Sequence, residues 1–147
     1  MKILVSYKSK TGFTKRYAEW ISEELEADLT DVKDIKDVSE YDLVIYGGWI
    51  LGGLINGFND IKKLDPKDLI IFAVGSTAVK DVDIKKMINE NNVGDIPFFY
   101  YHGGFNPQKM GFVGRTMVKM VTKEAPTYQD HTNKEAIKYL IKLVKSK

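Results

Sequence analysis

Cysteine is absent from this chain, which excludes disulfides, thiolate nucleophiles and cysteine-ligated metal or iron–sulfur centres. Any redox role therefore needs an organic cofactor. Histidine is nearly absent too, with 2 residues among 147, and no His/Asp/Glu cluster stands at ligand spacing, so no metal site is expected. Long apolar runs are missing: Leu43–Ile55, LVIYGGWILGGLI, is glycine-broken and shorter than the roughly 20 residues a membrane helix needs. The opening MKILVSY runs straight into a strand-like pattern, with no charged segment followed by a long apolar one, so no signal peptide is expected and the protein reads as soluble and cytoplasmic. An excess of one charge is also lacking. The 22 basic and 20 acidic residues give a net charge of +2 and are spread along the chain, which argues against a nucleic-acid binder. No repeat, low-complexity stretch or linker divides the sequence. What remains, 44% hydrophobic and 29% charged residues, suits one domain over residues 1–147 with a single core.

Apolar runs alternate with segments of helical period, the pattern of a parallel sheet with crossover helices. Strands are predicted at Lys2–Tyr7, Leu29–Val32, Asp42–Tyr46, Leu69–Val74 and Pro97–His102, each apolar and ending at glycine or polar residues. Ala18, Ile21 and Leu25 share one face of a helix over Phe13–Glu26, and further helices are predicted at Leu54–Leu64, Val82–Asn91 and Asn133–Lys145. The fold class is α/β, five parallel strands with helices on both faces. Ligands in such sheets bind beyond the carboxyl ends of the strands, at the switch point.

Four stretches would meet at that edge: Ser9-Lys10-Thr11-Gly12-Phe13-Thr14, Gly47-Gly48-Trp49, Gly75-Ser76-Thr77 and Gly103-Gly104-Phe105. Glycine lets backbone approach a ligand, hydroxyls donate to oxyanions, and a helix N-terminus offers free N–H groups. In the first stretch Ser9, Thr11 and Thr14 would donate while Gly12 makes the turn, a compact phosphate cradle. An N-cap and turn explains the same residues, and on composition alone the two readings are level. Neither G-x-x-x-x-G-K-[ST] nor G-x-G-x-x-G is present, so other phosphate loops are set aside.

Ser9-x-Thr11-Gly12-x-Thr14 directly after the first strand resembles the phosphate loop of flavodoxins, [Ser/Thr]-x-Thr-Gly-x-Thr, and matches it throughout. The resemblance implies a three-layer α/β/α sandwich of strand order 2-1-3-4-5 holding FMN. It implies that Ser9, Lys10, Thr11, Gly12, Phe13 and Thr14 take the phosphate. Gly47, Gly48, Trp49 and Ile50 would lie on one side of the isoalloxazine, with Gly75, Ser76, Thr77, Gly103 and Gly104 on the other. Within that superfamily, FFYYHGGFNPQKMGFVGRTMVKMV (Phe98–Val121) resembles the branch of menaquinone-dependent protoporphyrinogen dehydrogenases. Two departures stand out. Electron-shuttling flavodoxins are usually strongly acidic, whereas this chain has an isoelectric point near 8.6 and no Asp or Glu beside the glycines of the ring-side loops, which would ease electron uptake by the flavin. The segment after the fifth strand is also shorter than in the dehydrogenase branch.

Trp49 is the expected stacking partner of the flavin, and Gly47 or Gly48 the expected site of a peptide that turns toward it. Ser76 and Thr77 offer hydroxyls or amides to the pyrimidine edge, with a helix N-cap as the equal alternative. Trp20, His102 and His131 read as structural. Asn106–Lys123 joins an apolar, methionine-rich surface to Lys109, Arg115, Lys119 and Lys123; an ordinary packed helix is slightly favoured over a flavin cover or a docking surface for an acidic partner, an anionic substrate or a membrane surface. The expected function is electron transfer through FMN with a redox partner protein, no catalytic side chain standing out. The alternative is an FMN-dependent oxidoreductase acting on a quinone or protoporphyrinogen.

Overall fold

A strand buried on both faces sends successive side chains into opposite layers, and four strands here do so with apolar neighbours. Leu4, Val44, Ile71 and Tyr100 enter one core; Val5, Ile45, Phe72 and Tyr101 enter the other. The computed structural model describes residues 1–107, 109 and 127–147. In chain order its elements are β1 (Ile3–Lys8), α1 (Phe13–Leu25), β2 (Asp28–Asp31), β3 (Leu43–Leu51), β4 (Leu54–Ile55), α2 (Phe58–Lys63), β5 (Leu69–Gly75), α3 (Ile84–Glu90), β6 (Phe98–His102), β7 (Gly104–Phe105), β8 (Gln129–Asp130) and α4 (Lys138–Lys145). The parallel order β2-β1-β3-β5-β6 is the expected 2-1-3-4-5 of the five main strands, with β4 added antiparallel to the end of β3. β7 and β8 form a separate antiparallel ribbon.

One core lies under α1 and α4, where Tyr17, Ile21, Leu140 and Val144 cover Val5, Ile45 and Phe72. The other lies under α2 and α3, with Phe58 and Ile61 over Val44, Tyr46 and Ile71. The layers are those of an α/β/α sandwich. Trp20 is half-buried at 5.3 Å edge-on to Tyr17, the helix-edge packing expected of it.

Four boundaries differ from the sequence reading by two residues or more, the last helix among them: the helix expected from Asn133 is a 3-10 segment over Lys134–Ile137 and becomes α4 only at Lys138. β3 does not end at Tyr46 but runs through Gly47, Gly48 and Trp49 to Leu51. The helix expected from Leu54 starts at Phe58, because Leu54 and Ile55 fold back on Leu51 and Ile50. Gly52 and Gly53, at φ +59° and +81°, supply the left-handed pair that a two-residue hairpin turn requires. α3 starts at Ile84, two residues late, with the Asp83 carboxylate accepting the Lys86 N–H at 3.1 Å. Among the described residues no helix is long and apolar enough to cross a membrane.

Candidate functional site

β1 delivers the chain to the edge of the sheet, and Ser9 to Gly12 turn it back into α1. The Ser9 hydroxyl accepts the Gly12 N–H at 3.1 Å, closing the turn. Gly12 precedes the helix at φ +99°, and among the described residues no side chain caps the first turn. The amides there consequently face the strand ends without a side-chain acceptor, an arrangement suited to an anion. Among the described residues a Cβ at Gly12 would approach the Lys109 ammonium alone, 3.8 Å away, so a cation stands beside the loop. Thr11 is half-buried and Lys10 exposed. Thr14 is buried at 2% exposure, and Phe13 at 4% is an anchor in the core, offering the edge its backbone rather than its ring.

Next to this loop β3 carries Trp49, half-buried, with the Lys10 ammonium 5.8 Å from its ring centroid. Ile50, also half-buried, pairs with Ile55. Gly47 and Gly48 are inside the ladder, opposite Tyr7 and Lys8 on one side and Phe72 and Ala73 on the other. A Cβ would lie 2.0 Å from the Phe72 ring at Gly47 and 2.3 Å from the Asn56 carbonyl at Gly48. On the side a Cβ would occupy, these glycines admit the chain's own packing, and their peptides are held in a parallel ladder. The conformationally free glycines of this segment are Gly52 and Gly53, which the sequence reading passed over.

Across the sheet β5 ends at Gly75, and Ser76 and Thr77 are exposed beyond it. Their carbonyls are engaged: Tyr100 Oη donates to Thr77 at 2.7 Å, and His102 Nε2 stands 3.1 Å from Ser76. Neither residue caps a helix, because Ala78 precedes the next 3-10 turn and Asp83 caps α3. Their side chains are left to the edge. Gly75 accommodates the Tyr100 hydroxyl, 2.6 Å from a Cβ position, and Gly103 and Gly104 accommodate Val74 and the Gln129 carbonyl at 2.8 and 2.0 Å. On the side a Cβ would occupy, the space at these three glycines is filled by the chain itself.

The ribbon β7–β8 closes this side. His131 donates its N–H to the Gly103 carbonyl at 2.8 Å, and its ring stacks on His102 at 4.3 Å and 8°. Tyr17 Oη donates to the His102 carbonyl at 2.6 Å and accepts the Asn133 N–H at 3.0 Å, tying α1 to both segments. Arg16 bonds Asp130 at 2.5 Å and Thr132 at 2.9 Å. Partial burial alone would raise the Asp130 carboxyl pKa, but bonds from Thr132 and Arg16 outweigh it and hold the group below its usual range. Asn133 caps the last helical segment, its side chain accepting the Glu135 N–H at 3.0 Å.

Sequence reasoning missed four contributors. Asn56 donates its N–H to the Trp49 carbonyl at 3.0 Å, and the buried Tyr46 hydroxyl donates to the Asn56 carbonyl at 2.6 Å. Asn91 bonds the β3–β4 hairpin from α3. Glu90 brings a carboxylate oxygen within 3.0 Å of the Gly53 Cβ position, so acid absent from the local sequence arrives through the fold. Apart from Asn106, Pro107 and Lys109, the Asn106–Lys123 segment lies outside the described residues. A groove of about 690 Å³ beside α4, lined by Glu24, Lys134, Ile137, Lys138, Ile141 and Lys142, contains none of the loop residues.

Residues 4–139 match the family described as "Flavodoxin domain". Comparison with curated proteins finds no match. A candidate flavoprotein from Bacteroides uniformis shares 18% identity over 84% of this chain and 98% of its own, with a TM-score of 0.52. For one from Bacteroides eggerthii the values are 17%, 84%, 98% and 0.50. A flavoprotein from Lactobacillus acidophilus, solved in complex with FMN, shares 15% over 67% of this chain and 91% of its own, with a TM-score of 0.51. At these identities the likeness is one of fold.

Proposed function

Because this chain belongs to the flavodoxin domain family, we propose that the carboxyl edge of its sheet holds FMN and that the protein transfers electrons through that flavin. The observation carrying the reading is the entry to α1: an uncapped helix N-terminus, reached through a left-handed Gly12 at the end of β1. It fits a flavin phosphate in its chemistry. First-turn amides and the Ser9 and Thr11 hydroxyls can donate to a dianion, and Lys10 and Lys109 place positive charge near it. Trp49 offers a ring face beside the same loop, and the exposed Ser76 and Thr77 offer polar groups from the facing side. When bound, FMN supplies the redox chemistry. The chain's residues bind it, orient it and set the charge around it.

Carrier rather than enzyme is the favoured role, with a redox partner protein. The two histidines at the edge stack on each other and bond through Nε2, His102 to the Ser76 carbonyl and His131 to Gln129 Oε1 at 3.0 Å, which suits the structural role read for them. Stopped-flow mixing of the pre-reduced protein with an oxidised acceptor protein, beside steady-state assays with a quinone and with protoporphyrinogen, tests this. A carrier gives fast single-turnover transfer to protein and no saturable small-molecule turnover. Saturable turnover of either small molecule would make the protein an oxidoreductase instead.

A further inference from the structure

We propose that Asn91 is a positioning residue for the cofactor site, its carboxamide acting as a one-peptide strand that clamps the β3–β4 hairpin carrying Trp49. Asn91 Oδ1 accepts the Ile55 N–H at 2.8 Å, and Nδ2 donates to the Gly53 carbonyl at 2.9 Å. A carbonyl and the N–H two residues on are the pair that a strand presents to its neighbour, so the side chain completes a ladder on the outer edge of β4. Nδ2 also donates to the Met87 carbonyl at 2.8 Å, which closes the end of α3. Helix termination explains that third bond only; the other two reach 36 and 38 residues up the chain.

The hairpin needs such a clamp. Leu51, Gly52 and Leu54 are exposed, so burial does not hold its tip, and the Gly52–Gly53 turn is intrinsically loose. On its inner side Asn56 fixes the Trp49 carbonyl; on its outer side Asn91 fixes Gly53 and Ile55. Together they set where Trp49 and the turn stand relative to the phosphate loop.

This inference rests on the FMN reading, and one experiment separates the two. Apo wild type and Asn91→Leu are titrated with FMN, and quenching of bound-flavin fluorescence is read at saturation. The clamp predicts about tenfold weaker binding for Asn91→Leu, from loss of backbone-directed hydrogen bonds. It also predicts partial recovery of fluorescence in the bound form and faster exchange of the Ile55 amide. Asn91→Asp, which keeps the acceptor for Ile55 and loses the donor to Gly53, should fall between. It carries the test alone if Asn91→Leu does not fold: binding equal to wild type then overturns the clamp. Wild type that binds FMN while the variants match it in affinity and quenching overturns the positioning role, even if they melt earlier. Wild type that binds no FMN overturns the functional reading and the clamp with it.

Discussion

Gly12 and Gly47 both stand at the working edge of the sheet, and they are glycine for different reasons. Gly12 is glycine for its backbone, at φ +99°, with no clash among the described residues where a Cβ would point. Gly12→Val should cost about 1–2 kcal/mol in stability through left-handed strain, while FMN affinity falls by a larger free energy because the side chain covers the loop. Denaturant melts beside FMN titrations compare the two losses. Gly47 is glycine for its missing side chain, since a Cβ would meet the Phe72 ring. Gly47→Ala should lower stability by about 1–3 kcal/mol through overpacking, and the apo protein should show it in full. Tyr101 gives the opposite sign. Its hydroxyl is buried without a hydrogen-bond partner among the described residues, and burial pushes the phenol pKa well up. Tyr101→Phe should leave stability unchanged or raise it by up to about 1 kcal/mol, read as the shift in urea midpoint. Of these residues only Gly12 was legible in sequence, because its reason is local: a turn between a strand and a helix. The need for glycine at 47 comes from a ring on a neighbouring strand, which no pattern around position 47 records.

At the scale of elements, the parallel strands were readable from their apolar runs and the hairpin was not. Leu51-Gly52-Gly53-Leu54 holds a glycine pair suited to a tight turn, yet the apolar residues after it also satisfy a helical period, and the strand pairing of Ile50 with Ile55 decides between them. The β7–β8 ribbon was hidden for another reason: its strands are short, with a long stretch of chain between them. That ribbon is tied to α1 by Arg16 and Asp130. The depressed Asp130 pKa means that its contribution is present above the unfolded carboxyl value, about 3.9, and is lost as pH falls through the folded value. Asp130→Asn should therefore lower the thermal midpoint at pH 7 and change it much less at pH 2–3. Since both partners are partly exposed, the difference should stay within about 1 kcal/mol. Equal effects at both pH values would mean that packing, not charge, joins the ribbon to the helix.

At the scale of the whole molecule, the order β2-β1-β3-β5-β6 brings the ends of β1, β3, β5 and β6, and with them four separate stretches of sequence, to one edge. The sequence already named all four stretches, because strand ends and turn residues are local features. It could not assign their roles. At Gly75, Gly103 and Gly104 the space a Cβ would fill is taken by the protein itself, and Glu90 on α3 brings a carboxylate to the Gly53 turn. The central claim is that a phosphate group sits at the α1 entry. Titrating the apo protein with FMN and, separately, with riboflavin, which lacks the phosphate, tests that claim most directly. The account predicts one FMN per chain with strong fluorescence quenching, and riboflavin binding weaker by at least about a hundredfold, the loss of charge-assisted hydrogen bonds to the loop. Equal affinity for the two flavins, or no binding of either, would contradict it.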